Sequence, residues 1–151
     1  MKHEVPTTDD ALVSALHERG QRVTPQRLLI HRALRDLDRH VTAEEVRDAV
    51  SDRLPNASMP TVYAALEVLE DLGMVRRVPA AGGATLYDPR TDPHQHVRCR
   101  ECGRVEDLDV SVDAGRALRA AKRRGFKPEE AELVVSGVCA GCANSASTLA
   151  R

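Results

Sequence analysis

Aromatic side chains are almost absent from this chain: of 151 residues none is Trp, one is Phe and two are Tyr. A core assembled instead from Leu, Val and Ala buries less area per residue. Two small domains built that way are expected to need a metal or a partner subunit for stability. No run of about 18 apolar residues occurs, so no membrane span is expected. The opening stretch MKHEVPTTDD lacks the apolar segment of a secretory signal, which leads to the expectation of a cytoplasmic chain. Charge of one sign is missing too. The net charge is −1, and residues 1–90 hold 12 Lys or Arg against 14 Asp or Glu. Any contact with nucleic acid must therefore come from a local basic face. Cysteine is scarce, with four in all, and in a reducing compartment they point to metal before disulfide.

What is present begins with helix punctuation. Residues 7–19 carry a Thr cap, early acids and Leu12, Ala15 and Leu16 at helical spacing, and stop at Gly20. Thr24-Pro25 opens a second helix with the stripe Leu28, Leu29, Ala33 and Leu37. Thr42-Ala-Glu-Glu45 is a capping box for a third, running to about Arg53. Ser58 caps a fourth, with Pro60 in its first turn, Val62, Leu66, Leu69 and Leu72 apolar, and Gly73 as its stop. Residues 74–78 and 84–88, joined by Pro-Ala-Ala-Gly-Gly, read as a hairpin. Short helices followed by a hairpin are the layout of a winged helix, whose last helix enters the major groove. The same shape also serves as a protein-interaction module.

The Pro-bounded stretch at residues 89–93 reads as a hinge between a domain at 1–88 and one at 94–151. Beyond it, strands are expected at 96–99, 105–108 and 133–138. A helix is expected at 112–124, with Ala117, Leu118 and Ala121 on its inner face. The fold class is therefore α+β: a winged-helix domain and a small α/β domain. The second domain is too small to stand alone, and an edge strand pairing with its copy would make a dimer.

Two constellations carry metal chemistry. Cys99-Arg-Glu-Cys102-Gly and Cys139-Ala-Gly-Cys142 are paired CxxC knuckles, whose four thiolates can close a tetrahedron around structural Zn²⁺. An iron centre of the rubredoxin kind, a redox disulfide pair and unrelated buried thiols are the rival readings. His94-Gln-His96 puts two imidazoles on one face of an extended segment. His40, Asp88 and Asp107 have ordinary accounts when taken singly: a loop residue, a turn acceptor and a solvated strand end.

The runs RVTPQR (22–27), HVTAEEV (40–46), SMPTVYAAL (58–66) and HQHVRCRECG (94–103) resemble the ferric uptake regulator family, in order, over roughly residues 11–142. The resemblance implies a homodimer in which a winged helix binds inverted-repeat operator DNA and an α/β domain dimerises. It also implies a regulatory metal site with ligands at His40, Asp88, His94, His96 and Asp107. Imidazole and carboxylate donors suit Fe²⁺ or Mn²⁺, whereas thiolates favour zinc. On the DNA face the resemblance makes Tyr63 the expected base-contacting residue, on the same helix as Thr61, and Arg22 and Arg27 are placed to reach phosphates. The rival account of Tyr63 is packing.

Asp88 and Asp107 stand where iron-uptake members commonly carry Glu, and residues 127–131 read KPEEA without the further His those members use. This resembles the peroxide-responsive branch, in which Fe²⁺ and H₂O₂ oxidise a ligand His and the controlled genes serve oxidative-stress defence, catalase among them. A metal-dependent, peroxide-sensing repressor is thus expected, with no enzymatic activity, membrane contact or small organic substrate. An iron-uptake or nickel-responsive repressor is the alternative within the family. From other classes, a non-haem iron metalloenzyme and a zinc-dependent interaction protein remain open.

Overall fold

Thr24, Thr42 and Ser58 each stand one residue before a helix, and each accepts a hydrogen bond from the amide three residues on. The computed structural model describes residues 9–80 and 83–148, and the chain divides into two compact units, Met1–Asp92 and Pro93–Arg151. In the first unit α1 (Asp9–Glu18), α2 (Pro25–Leu37), α3 (Ala43–Val50) and α4 (Met59–Asp71) precede a hairpin of β1 (Arg76–Pro79) and β2 (Thr85–Asp88). The Thr7 cap expected for α1 lies outside the described residues. The Thr42–Glu45 capping box forms in both directions, at 3.2 and 2.8 Å. Gly73 takes φ +71, a left-handed conformation that stops α4 at little steric cost.

The apolar stripes of the four helices converge. Leu12, Leu16, Ile30, Val46, Val62, Leu66 and Leu69 are fully buried and form one cluster with Val75 and Tyr87 from the hairpin side. Burial of several Leu and Val side chains at about 1.5–3 kcal/mol each is what holds this unit.

The second unit is a three-stranded sheet in the order β4-β3-β5: β3 (Gln95–Cys99), β4 (Val105–Leu108) and β5 (Val134–Gly137). β3 pairs antiparallel with β4 and parallel with β5. The crossover carries α5 (Gly115–Arg123), and α6 (Ala140–Thr148) follows β5. Two expectations are corrected here. The helix expected from residue 112 begins at Gly115, and its supposed inner face is not buried: Ala117 is exposed, and Leu118 and Ala121 are half-buried. The reason is architectural, since no residue of α5 lies in a core. α6 was not expected, because its short Ala/Ser-rich sequence has no apolar stripe.

Replacing Leu66 by Ala in the first core is expected to cost about 2–5 kcal/mol. Urea unfolding followed by circular dichroism should show the midpoint falling by a corresponding amount at unchanged slope.

Candidate metal centres and nucleic-acid face

α2 ends at Leu37, and Asp38 turns the chain with a left-handed φ of 44. Val41 then pairs with Tyr87 across an isolated antiparallel bridge. The Val41 N–H donates to the Tyr87 carbonyl at 3.1 Å, and the Tyr87 N–H donates back at 2.7 Å. This bridge brings the neighbouring residues together: His40 Nε2 lies 3.2 Å from Asp88 Oδ2. Asp88 is buried, and its other oxygen accepts the Arg90 N–H at 2.8 Å. A buried carboxylate beside an imidazole is an oxygen–nitrogen donor pair within reach of one cation.

In the second unit the strand alternation does what the sequence implied. His94 and His96 share a face, their ring centroids 4.6 Å apart and edge to face. His96 stands opposite Asp107 in the β3–β4 register. Asp107 Oδ1 lies 3.3 Å from His94 Nε2 and 3.7 Å from His96 Nε2. Both imidazoles are buried while Asp107 reaches toward solvent. Gln95, on the opposite face, anchors β3 by accepting the Leu133 N–H at 2.6 Å.

The four Cys also gather. Their sulfurs lie within 4.8 Å of one another, with Cys102 and Cys139 Sγ 3.9 Å apart. That is nearly twice a disulfide bond length of about 2.05 Å. It matches instead the ~3.8 Å edge of a tetrahedron with metal–sulfur bonds of about 2.3 Å. None of the four is in a disulfide, and the reading as unrelated buried thiols is overturned by their convergence. Backbone amides already point at the sulfurs. The Cys139 N–H donates to Cys99 Sγ at 3.3 Å, and the Cys142 N–H donates to Cys139 Sγ at 3.4 Å. Cys139 thus stands in the capping position of α6, where the helix end favours negative charge. Amide donation from Cys102 and Cys139 lowers the Cys99 thiol to about 6. Hydrogen bonding to Cys139 and Cys102 pushes the Cys142 thiol up to about 12. One thiolate forms readily and a full set does not, so four thiolates together call for a divalent cation. The donor set fits zinc.

On the first unit, Tyr63 is exposed on α4, so the packing account of it is not supported. Thr61 is half-buried at the start of α4, its Oγ1 3.0 Å from Ser58 Oγ. Arg27 is turned toward local acceptors, donating to the Arg22 carbonyl and, at 3.3 Å, to Gln21 Oε1. Arg22 is exposed. The sequence reading missed three neighbours of Thr61: Gln26, Arg53 and Asn56 line one cavity of about 240 Å³ with it. It missed Glu67 as well, which lines a cavity with Tyr63 and Arg77. Spacing of four residues from Tyr63 was the available signal for Glu67; Arg53 and Asn56 come close only through the fold.

The profile of the Ferric uptake regulator family matches residues 18–136. The chain is 32% identical over 146 residues to the peroxide-responsive repressor PerR of Staphylococcus epidermidis, spanning 94% of this chain and 97% of that protein. It is 34% identical over 125 residues to the transcriptional regulator FurA of Mycobacterium tuberculosis, spanning 82% and 84% respectively. A crystal structure of the Vibrio cholerae ferric uptake regulator (Fur), described as revealing a rearrangement of its DNA-binding domains, is similar at a TM-score of 0.64 and 29% identity. That match spans 83% of this chain and 98% of the other.

Replacing Cys102 by Ser should remove the zinc and unravel the second unit while the first still unfolds cooperatively. Metal content by atomic emission and far-ultraviolet dichroism test this; a variant that keeps both zinc and secondary structure would refute the tetrathiolate centre.

Proposed function

Because the chain belongs to the ferric uptake regulator family, we propose that it represses transcription by holding operator DNA in a metal-dependent, peroxide-sensitive manner. Members of that family are dimeric, metal-responsive, DNA-binding transcriptional regulators rather than enzymes, and so is this chain. Repression, the peroxide signal, a cytoplasmic location and the individual residue roles are our reading. The observation that carries it is that each unit holds its own set of imidazole and carboxylate donors, separate from the thiols: His40 with Asp88, and His94 and His96 with Asp107.

In this reading Cys99, Cys102, Cys139 and Cys142 hold structural Zn²⁺, and His40, Asp88, His94, His96 and Asp107 hold a regulatory Fe²⁺ or Mn²⁺. Iron(II), when bound, would activate H₂O₂ so that one of its oxygen atoms passes to a nearby imidazole and the other leaves as water, the two electrons coming from the imidazole. The remaining work belongs to the chain. Loading of these side chains shifts the dimer toward one arrangement of its two α4 helices. Half-site spacing on DNA selects that arrangement. Tyr63 and Thr61 meet the bases, and Arg22 and Arg27 meet phosphates. The outer face of α4 also carries Ala64 and Glu67, so few neutral hydrogen-bonding groups face the groove. Contacts to thymine methyls and groove shape then carry a large share of the readout. Support for peroxide over iron level as the signal comes from the Asp residues at 88 and 107 and from the absence of His in residues 127–131.

His94→Ala and His96→Ala should each abolish the metal-dependent gain in operator affinity, typically on the order of 5- to 150-fold for coupled sites, while zinc content stays constant. Fluorescence anisotropy with and without Mn²⁺ measures this, and an undiminished gain would refute the ligand assignment. Mass spectrometry after brief peroxide treatment of the Fe²⁺ form should find one added oxygen on His40 or His94. If operator DNA is released with neither imidazole oxidised, the peroxide reading falls and a repressor answering to metal level remains.

A further inference from the structure

A regulator of DNA needs cations to meet phosphate, and the first unit is poorly supplied with them. Residues 1–90 carry more acids than bases, and α4, which faces the groove, contains Glu67, Glu70 and Asp71 but no Lys or Arg. Several of the unit's arginines are already matched: Arg32 with Asp9, Arg39 with Glu45, Arg77 with Glu70 and Arg90 with Asp92.

The second unit has the opposite character at one place. Arg116, Arg119, Lys122 and Arg123 of α5, with Arg124 just past its end, are all exposed, and no acid interrupts them. Among the described residues none of these five is in an ion pair, whereas Arg100 and Arg104 of the same unit are, with Glu101 and Glu106. The nearest acid before the helix, Asp113, accepts the Gly115 N–H at 3.0 Å. Glu129, Glu130 and Glu132 come only after the helix has ended.

Arg116, Arg119 and Arg123 follow the spacing of one helix face, with Leu118 and Ala121 on the other. Seven residues of helix rise about 10 Å. The rise per phosphate on one strand is about 3.4 Å along the axis, but the strand also winds around it, so consecutive phosphates lie further apart than that and the three guanidinium groups reach about two of them. Guanidinium is also the side chain best suited to phosphate, since its planar fork donates two parallel hydrogen bonds.

We propose that the cationic face of α5 is a second, sequence-independent contact of this protein with the sugar-phosphate backbone of duplex DNA. It adds electrostatic affinity that the acidic reading helix cannot supply, and the dimer carries it twice. The proposal rests on the reading of the chain as a DNA-binding regulator.

The test uses the full chain, zinc-replete and loaded with Mn²⁺, against a fluorescein-labelled operator duplex and a scrambled duplex between about 50 and 200 mM salt. In Arg116→Gln/Arg119→Gln/Arg123→Gln, the slope of log Kobs against log salt should become shallower by about 0.9 for each phosphate no longer neutralised, on both duplexes. The corresponding Arg→Lys triple variant should keep the wild-type slope. If the Gln variant does not fold, single Arg116→Gln and Arg123→Gln variants carry the test with a shift of about 0.9 each. Wild-type slopes in the folded Gln variants overturn the proposal, as does a weakening that the Lys variant shares. Unchanged DNA binding together with abolished retention on poly-glutamate would also overturn it, assigning the face to an acidic protein. Wild-type chain that binds neither duplex would instead sink the functional reading on which the proposal rests.

Discussion

The second unit cannot hold itself together by burying apolar surface, and much of its design follows from that constraint. Beyond Pro93, Cys99 and Val105 are the buried apolar side chains among the described residues, joined by His94 and His96. The first unit, by contrast, has a continuous cluster of Leu, Ile and Val. Four sulfurs supply what the core does not. They lie at the end of β3, in the turn that follows it, and at the start of α6, so one cation bound there ties three segments. The remaining deficit stays on the surface: Val110, Val112, Phe126, Leu133, Val135 and Val138 are exposed in this single subunit. In a dimeric family a second copy is the natural cover for apolar surface of that kind.

The two donor types also separate the metals. Thiolates select a soft or borderline ion and close around it, whereas imidazole with carboxylate suits iron or manganese. The chain keeps the sets distinct by position. The thiols cluster at one end of β3 and α6, while the His and Asp residues lie at the other end of β3 and beside the Val41–Tyr87 bridge. A structural ion and a responsive ion can therefore coexist without exchanging places.

Charge is distributed against the first intuition about a DNA-binding protein. The helix that the proposed function assigns to the groove, α4, is acidic, Arg77 is paired with its Glu70, and the most strongly basic element lies in the other unit. Net charge near zero therefore conceals a local contrast that composition alone averages away.

Features written within four or five residues were legible before any coordinates. Thr24, Thr42 and Ser58 cap helices because a side-chain oxygen reaches an amide three residues on, wherever the helix lies. The CxxC spacing brings two sulfurs to one ion, and alternation in an extended chain puts His94 and His96 on one face. The family resemblance, carried by such runs, extended this to His40, Asp88 and Asp107. The fold alone decided the long-range placements. The 3.2 Å approach of His40 to Asp88 depends on a backbone bridge between segments far apart in sequence. The gathering of the two Cys pairs depends on the parallel pairing of β3 with β5. The stripe of α5 was readable, but its exposure was not, because amphipathic spacing says which residues share a face and only packing says whether anything covers it.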